Sequence, residues 1–258
     1  MAVNPQAQRH TYLNRFPLWE TPRLRPRIKP LALPLLIAAL VIVPLIILLL
    51  RLLTPDWALW EHLWRTALPP MLWNTAVLTV GVGIGTTVIG TGAAWLVTAY
   101  EFPLRRFFDK AFLLPLALPA FIMGFVFMGI FDYAGPVQYF LRDTFGSSRW
   151  FPNIRSWWGV ILVMTLVLYP YVYILARAAF REQAASTFEA AQLMGYGRTR
   201  TFFRLVLPLA RPSIAAGAIL AMFEALTDYG TVRFFSYPTL SEGVVRIWEG
   251  RMDRDGAI

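Results

Sequence analysis

The chain has no cysteine and only two histidines, His10 and His62. A disulfide framework, an iron–sulfur cluster and a thiol nucleophile are therefore excluded, as is most histidine-based metal or acid–base chemistry. Charge is scarce too: Asp, Glu, Lys and Arg make up 15% of the 258 residues against 57% hydrophobic ones. A soluble domain carries about 25% charged residues, so the composition reads as a polytopic membrane protein. No glycine-rich phosphate loop is found, and no nucleotide, cofactor or resident metal is expected on this chain. The formal charge of +9 does not point to nucleic acid, because the basic residues border apolar runs instead of gathering with aromatics in a polar domain.

What is abundant is long apolar sequence. Leu31 to Leu50 is free of charge and matches the ~20 residues that cross a hydrocarbon core; Pro34 and Pro44 fall inside it. No charge occurs between Arg65 and Glu101, and 74–99 reads as a second span whose small residues Gly81, Gly85, Gly90 and Ala94 suit close helix packing. Ala111 to Phe131 reads as a third span, Ser156 to Ala176 as a fourth, entered through Trp157 and Trp158, and Arg211 to Val232 as a fifth. The predicted fold is an all-α transmembrane bundle of about five spans.

Basic residues orient it. The segment 1–30, the loop 101–110 and the loop 177–211 hold fifteen of the 24 Lys and Arg, which by the positive-inside rule places the N-terminal tail and both loops in the cytoplasm. Predicted boundaries follow: a cytoplasmic tail over 1–30, a first transmembrane helix over 31–53, a core over 74–232 and an outer segment over 233–258. The aromatic-rich loop at about 132–155 then faces outward, where a plain connection and a contact for a delivery protein are both open readings.

The loop 177–211 carries the most specific signal. Glu189-Ala190-Ala191, three residues, Gly195, nine residues, Leu205, one residue and then Leu207-Pro208 form one spaced pattern. Two small alanines permit close approach of a partner, and glycine permits a left-handed turn between helices. This spacing resembles the EAA motif of binding-protein-dependent ABC transporter permeases, whose fold is the type I importer class, with Leu205 standing where the family pattern has Ile. Three stretches, 114–120 (LPLALPA), 169–180 (YPYVYILARAAF) and 223–231 (FEALTDYGT), are similar to ferric-iron permeases of that group. The resemblance covers about 74–250.

The resemblance implies an inner-membrane subunit that works with a cytoplasmic ATPase dimer, a periplasmic substrate-binding protein and a second permease half. ATP would be hydrolysed by the ATPase and not by this chain. Glu189, Ala190, Ala191, Gly195, Leu207 and Pro208 would form the ATPase-coupling element, and ferric iron the substrate, with thiamine, polyamine or sulfate as alternatives on the same fold. A membrane-embedded enzyme is the remote alternative. No catalytic residues are expected.

Glu224 and Asp228, four apart in an apolar span, are expected on one helix face beside an iron pathway, since intramembrane acids usually face a pathway or a partner. Pairing with Arg233 or capping of a broken helix is the competing reading. Tyr169 and Tyr173 share a face on the fourth span, where packing and substrate contact are both open. The closing stretch Glu249 to Asp255, followed by Gly256-Ala257-Ile258, reads as the approach to a further span, so an N-terminal half or fragment is expected.

Overall fold

The computed structural model describes residues 29–53, 57–148, 150–193 and 195–251. The expected tail at 1–28 and the stretch 252–258 lie outside the described residues. The chain divides into two compact units, residues 1–54 and 55–258. In the first, helix α1 spans Lys29–Leu52 and contains both Pro34 and Pro44.

The second unit is built from helices alone among its described residues. In chain order they are α2 (Trp57–Thr66), α3 (Leu68–Ala99), α4 (Arg105–Ala111), a 3₁₀ turn at Leu114–Ala117, α5 (Ala120–Phe131), α6 (Pro136–Phe145) and α7 (Trp157–Leu193). There follow α8 (Arg198–Thr201), a π-helical turn at Phe202–Val206, α9 (Leu207–Thr227), α10 (Tyr229–Phe234) and α11 (Leu240–Arg251). Among the described residues four stretches are long and apolar enough to cross a membrane: Leu68–Ala99, Ala120–Phe145, Trp157–Gln183 and Thr199–Thr227, with a shorter apolar run at Leu33–Ile47.

Three predicted spans are corrected. The third is not a continuous helix over 111–131. Pro115 opens a 3₁₀ turn and Leu118 is extended before Pro119, because a residue that precedes proline is pushed out of the α region. The fourth does not stop at Ala176; α7 continues unbroken to Leu193. The fifth does not reach Val232. Its helix ends at Thr227, with Asp228 non-helical (φ −77°, ψ 96°).

The core sits where α3, α7 and α9 cross. Glycines on α3 and α9 let these backbones meet α7. A Cβ on Gly90 would lie 2.7 Å from Val172 Cβ and 2.8 Å from the Tyr169 carbonyl, and one on Gly217 would lie 2.7 Å from Val172 Cα. Gly81 faces Ile161 and Gly85 faces Thr165 in the same way. The small-residue face of α3 is thus a packing face. Pro170, inside α7, stands at this crossing, where it removes one helical hydrogen bond. Buried side chains separate there into two clusters, one around Leu78, Val82, Val163 and Leu168, the other around Val97, Tyr173, Phe180 and Val206.

Two sets of ties define the two ends. At one end Arg105 Nε donates to the Val97 carbonyl (2.6 Å) and Asp109 pairs with Arg177 and Arg181, so the loop 101–113 and the far end of α7 lie together. At the other, Asn74 donates to the Pro238 carbonyl (2.9 Å) and Tyr237 to the Asn74 carbonyl (3.2 Å), which holds the approach to α11 against the start of α3.

Candidate functional site

The Glu-Ala-Ala segment occupies the last turns of α7. A helix of 37 residues is about 55 Å long at 1.5 Å per residue, against ~30 Å of hydrocarbon. Its final turns therefore project beyond the apolar bundle. Ala191 is buried, while the side chains of Glu189 and Ala190 lie outside the described part. Gly195 then takes φ +71°, and Tyr196 N–H donates to the Ala191 carbonyl at 2.9 Å. That bond, from the second residue past the cap to the third from the helix end, with glycine left-handed between them, is a Schellman C-cap. The spacing from Ala191 to Gly195 is thus the spacing of a helix stop.

After the stop the chain turns back into the bundle. Leu207 N–H bonds to the Phe202 carbonyl, five residues back. A widened turn here fits Pro208, which has no N–H to give and would press its ring on the Arg204 carbonyl in a regular α-turn. Leu207 and Pro208 are half-buried at the start of α9. Phe202 ties this turn to the core: its ring centroid lies 4.4 Å from Trp95 of α3 and 6.1 Å from Phe180 of α7, and those two are 5.9 Å apart. The sequence reading did not single out this aromatic trio, which no motif spacing marks.

At the same end Asp109 collects three donors from α7. Tyr173 Oη donates to Asp109 Oδ1 at 2.8 Å, and Arg177 and Arg181 both reach Oδ2. Asp109 is an acid set among Arg105, Arg106 and Lys110, a signal in the sequence that was passed over. Tyr173 is fully buried and Tyr169 nearly so, both edge-on to Phe112. These tyrosines serve packing, and substrate contact by Tyr173 is not supported.

Glu224 and Asp228 meet differently from the expectation. They do not share a helix face, because α9 ends between them. Asp228 caps α10, accepting from Thr231 N–H at 2.8 Å and from the Thr231 hydroxyl. Even so, the break brings both acids into the wall of one open cavity of about 650 Å³, with Pro119, Phe121, Tyr229 and Arg233. Of the competing reading, the helix cap is seen at Asp228, while pairing of these acids with Arg233 is not seen among the described residues; Arg233 bonds Glu249 at 3.0 Å. The carboxylate of Glu224, on the exposed side of α9, has no hydrogen bond or ion pair among the described residues, and Glu224 also lines a smaller cavity beside Tyr171.

The proline-broken α5 entry, the α9 break and the capped stop after α7 are held on one scaffold of crossing helices. A family described as binding-protein-dependent transport system inner membrane component matches residues 87–253. The chain belongs to that family. This makes it a membrane transport component and not an enzyme. Curated relatives include the Fe(3+)-transport system permease protein FbpB 2 of Haemophilus influenzae, 29% identical over 189 residues, or 73% of this chain and 33% of that protein. The probable sulfate transport system permease protein cysT of Chlorokybus atmophyticus is 30% identical over 67% of this chain and 60% of its own length. The molybdenum transport system permease protein ModB of Escherichia coli is 32% identical over 55% and 61%. The chain thus spans about a third of the first of these relatives and about three fifths of the other two. Among solved structures, a bacterial ABC transporter involved in the import of the acidic polysaccharide alginate superposes with a TM-score of 0.68 at 16% identity, covering 89% of this chain and 86% of that one. That likeness concerns the fold.

Proposed function

We propose that this permease-family chain passes ferric iron from a periplasmic binding protein toward the cytoplasm of a bacterial cell, driven by ATP hydrolysis on a separate ATPase dimer. The observation that carries the choice of substrate is the charge balance of the cavity walls. Three arginines lining the cavities around the α9 break have carboxylate partners: Arg155 with Asp132 (2.8 Å), Arg233 with Glu249 (3.0 Å) and Arg246 with Glu242 (2.6 Å), whereas Arg142, in the cavity that shares Asp132 and Arg155, donates to the Tyr133 carbonyl. The Glu224 carboxylate has no partner among the described residues, and Asp228 accepts only from the neutral Thr231. A wall whose uncompensated charge is negative attracts a cation and repels sulfate or molybdate. Carboxylate oxygens and the Tyr229 phenol beside them are hard donors that suit ferric iron.

Among the described residues no group of three or more His, Cys, Asp and Glu is placed to hold a metal ion. Two acids on an open wall favour passage over tight retention, since conduction needs binding weak enough to be reversed.

The coupling element is the capped end of α7 with the turn that follows. In the proposed cycle the ATPase dimer grips Glu189, Ala190 and Ala191 and the return segment through Leu207 and Pro208, and its closure moves α7 and α9 together through the Trp95, Phe180 and Phe202 contact. Differential contact of this element with open and closed ATPase supplies the free energy that shifts the permease between its two states. The orientation that serves this cycle puts the Asp109 end and the N-terminus in the cytoplasm, as the basic-residue count favours. A second permease half would complete the pathway.

Uptake into proteoliposomes containing this permease, its ATPase and its second half tests the substrate directly. With the cognate binding protein loaded in turn with ferric iron, sulfate and molybdate, ATP-dependent uptake of iron alone is expected. Uptake of either oxyanion, with iron left outside, would overturn the iron reading, and uptake of a polyamine would move it to an organic cation.

A further inference from the structure

Helix α2 takes no part in the cavity or the coupling element, yet it holds three of the ten tryptophans of the chain. Trp57, Trp60 and Trp64 follow i, i+3, i+7 spacing and so form one stripe on the helix. They are 76%, 41% and 62% exposed. Beside the stripe Glu61 and Arg65 form an exposed ion pair at 2.7 Å. The helix is therefore amphipathic in an unusual way, with indoles on one side and charge next to them.

Position indicates what covers the indoles. Only Ala67 separates α2 from α3, and the backbone bonds from Ala67 N–H to Leu63 and from Met71 N–H to Ala67 (2.9 and 3.3 Å) carry the chain from one helix into the next. This junction lies at the end of the bundle remote from Asp109. From Trp73 onward the exposed apolar residues of α3 include Val80, Ile84 and Val88, a helical stripe of the kind that faces acyl chains. The tryptophan stripe thus adjoins a lipid-facing surface at its upper limit. Exposed Trp73 and Trp157 stand near the starts of α3 and α7 at this same end. An indole, apolar in body with a single N–H to satisfy, is favoured at the boundary of headgroups and hydrocarbon, and an amphipathic helix with such a face lies in that boundary.

We propose that α2 is an interfacial helix, seated on the membrane at the end of the bundle opposite Asp109, with Trp57, Trp60 and Trp64 inserted between headgroups and acyl chains. Glu61 and Arg65 reach the headgroup layer, and the helix fixes the depth at which α3 enters the bilayer. The occupant of the tryptophan face is lipid. The proposal depends on the chain's spanning a membrane and is independent of its substrate.

The absence of cysteine allows a clean test. Single Trp57→Cys, Trp60→Cys, Trp64→Cys and Glu61→Cys variants of the full chain are spin-labelled and placed in nanodiscs of phosphatidylcholine and phosphatidylglycerol. Accessibility to oxygen, which partitions into lipid, is compared with accessibility to a water-soluble nickel chelate. At the three tryptophan positions the ratio of oxygen to nickel accessibility should be severalfold higher than at Glu61, with a depth close to the headgroup boundary. Equal ratios at all four positions would mean that the tryptophans sit no deeper in lipid than Glu61, and labels shielded from both reagents would mean that protein, such as a second copy, covers the stripe. Either result overturns the proposal.

Discussion

Tyr173, fully buried, donates its hydroxyl to the Asp109 carboxylate at 2.8 Å across 64 residues of chain. The same carboxylate holds Arg177 and Arg181, so one acid fastens the loop after α3 to the stretch of α7 that leads into the proposed coupling element. Asp109→Asn keeps the shape and removes the charge. Hydrogen bonds to charged groups contribute about 1.5 to 3 kcal/mol, and Arg177 and Asp109 are both largely shielded. A loss of about 2 kcal/mol is expected, read as a lower Tm of the detergent-solubilised protein. Tyr173→Phe should cost about 1.5 to 3 kcal/mol by the same rule. Equal Tm values for wild type and Asp109→Asn would show that the loop is held by other contacts.

Two glycines on α3 should respond oppositely to the same change. At Gly90 an added Cβ meets Val172 and the backbone of α7 below 3 Å, whereas at Gly92 nothing lies within 4 Å. Backbone atoms of a packed helix cannot step aside, so Gly90→Ala should be overpacked by about 1 to 3 kcal/mol. Gly92→Ala should stabilise the helix by roughly 0.5 to 1 kcal/mol, because glycine inside a helix loses more conformational freedom than alanine. Thermal unfolding of the two variants side by side decides the point, and a Gly90→Ala protein as stable as Gly92→Ala would contradict this packing.

Which parts of the molecule could be read from sequence follows from how local the cause is. Apolar runs gave the spans because crossing lipid demands ~20 apolar residues whatever lies beside them, and Gly195 announced its turn because a left-handed C-cap is a property of a few adjacent residues. Spacing failed where a long-range or backbone term intervened. Glu224 and Asp228 satisfy the i, i+4 rule, yet the side chain of Asp228 stops the helix by bonding Thr231 N–H. Pro119 and Leu118 broke a span that hydropathy averages as one. The Asp109 cluster and the Trp95, Phe180 and Phe202 contact join segments far apart in sequence, so no window shorter than the fold contains them.

Gly195 separates a conformational role from a steric one. Its φ of +71° disfavours a side chain, but the space around it is open. Gly195→Ala should therefore strain only the turn, by about 1 to 2 kcal/mol, and Gly195→Asp should add charge at the proposed ATPase contact. Both variants are expected to insert normally while transport-linked ATP hydrolysis falls, more for Asp. Glu189→Lys should behave likewise if that residue meets the ATPase. Copurification of the ATPase with each variant reports the contact itself, and wild-type transport by Glu189→Lys and Gly195→Asp together would remove the coupling role.

The two acids at the α9 break should come apart under mutation, since one is a cap and the other has no structural partner among the described residues. Asp228→Ala removes an N-cap acceptor, which costs about 1 kcal/mol, and should lower Tm. Asp228→Asn keeps an acceptor for Thr231 N–H and should retain most of that stability. Glu224→Gln breaks no hydrogen bond or ion pair seen among the described residues and should leave Tm unchanged. Transport orders the variants differently. If uncompensated negative charge on the cavity wall draws the cation inward, neutralising Glu224 removes that attraction without touching the fold, and iron uptake should fall severalfold at unchanged Tm. Asp228→Asn should add to the loss, because it neutralises the second charge on the same wall. Uptake measured with the ATPase and binding protein at saturating ATP, normalised to assembled complex, makes the comparison. Wild-type uptake by Glu224→Gln, or losses that merely follow Tm across the series, would leave both acids as parts of the fold and take them off the pathway.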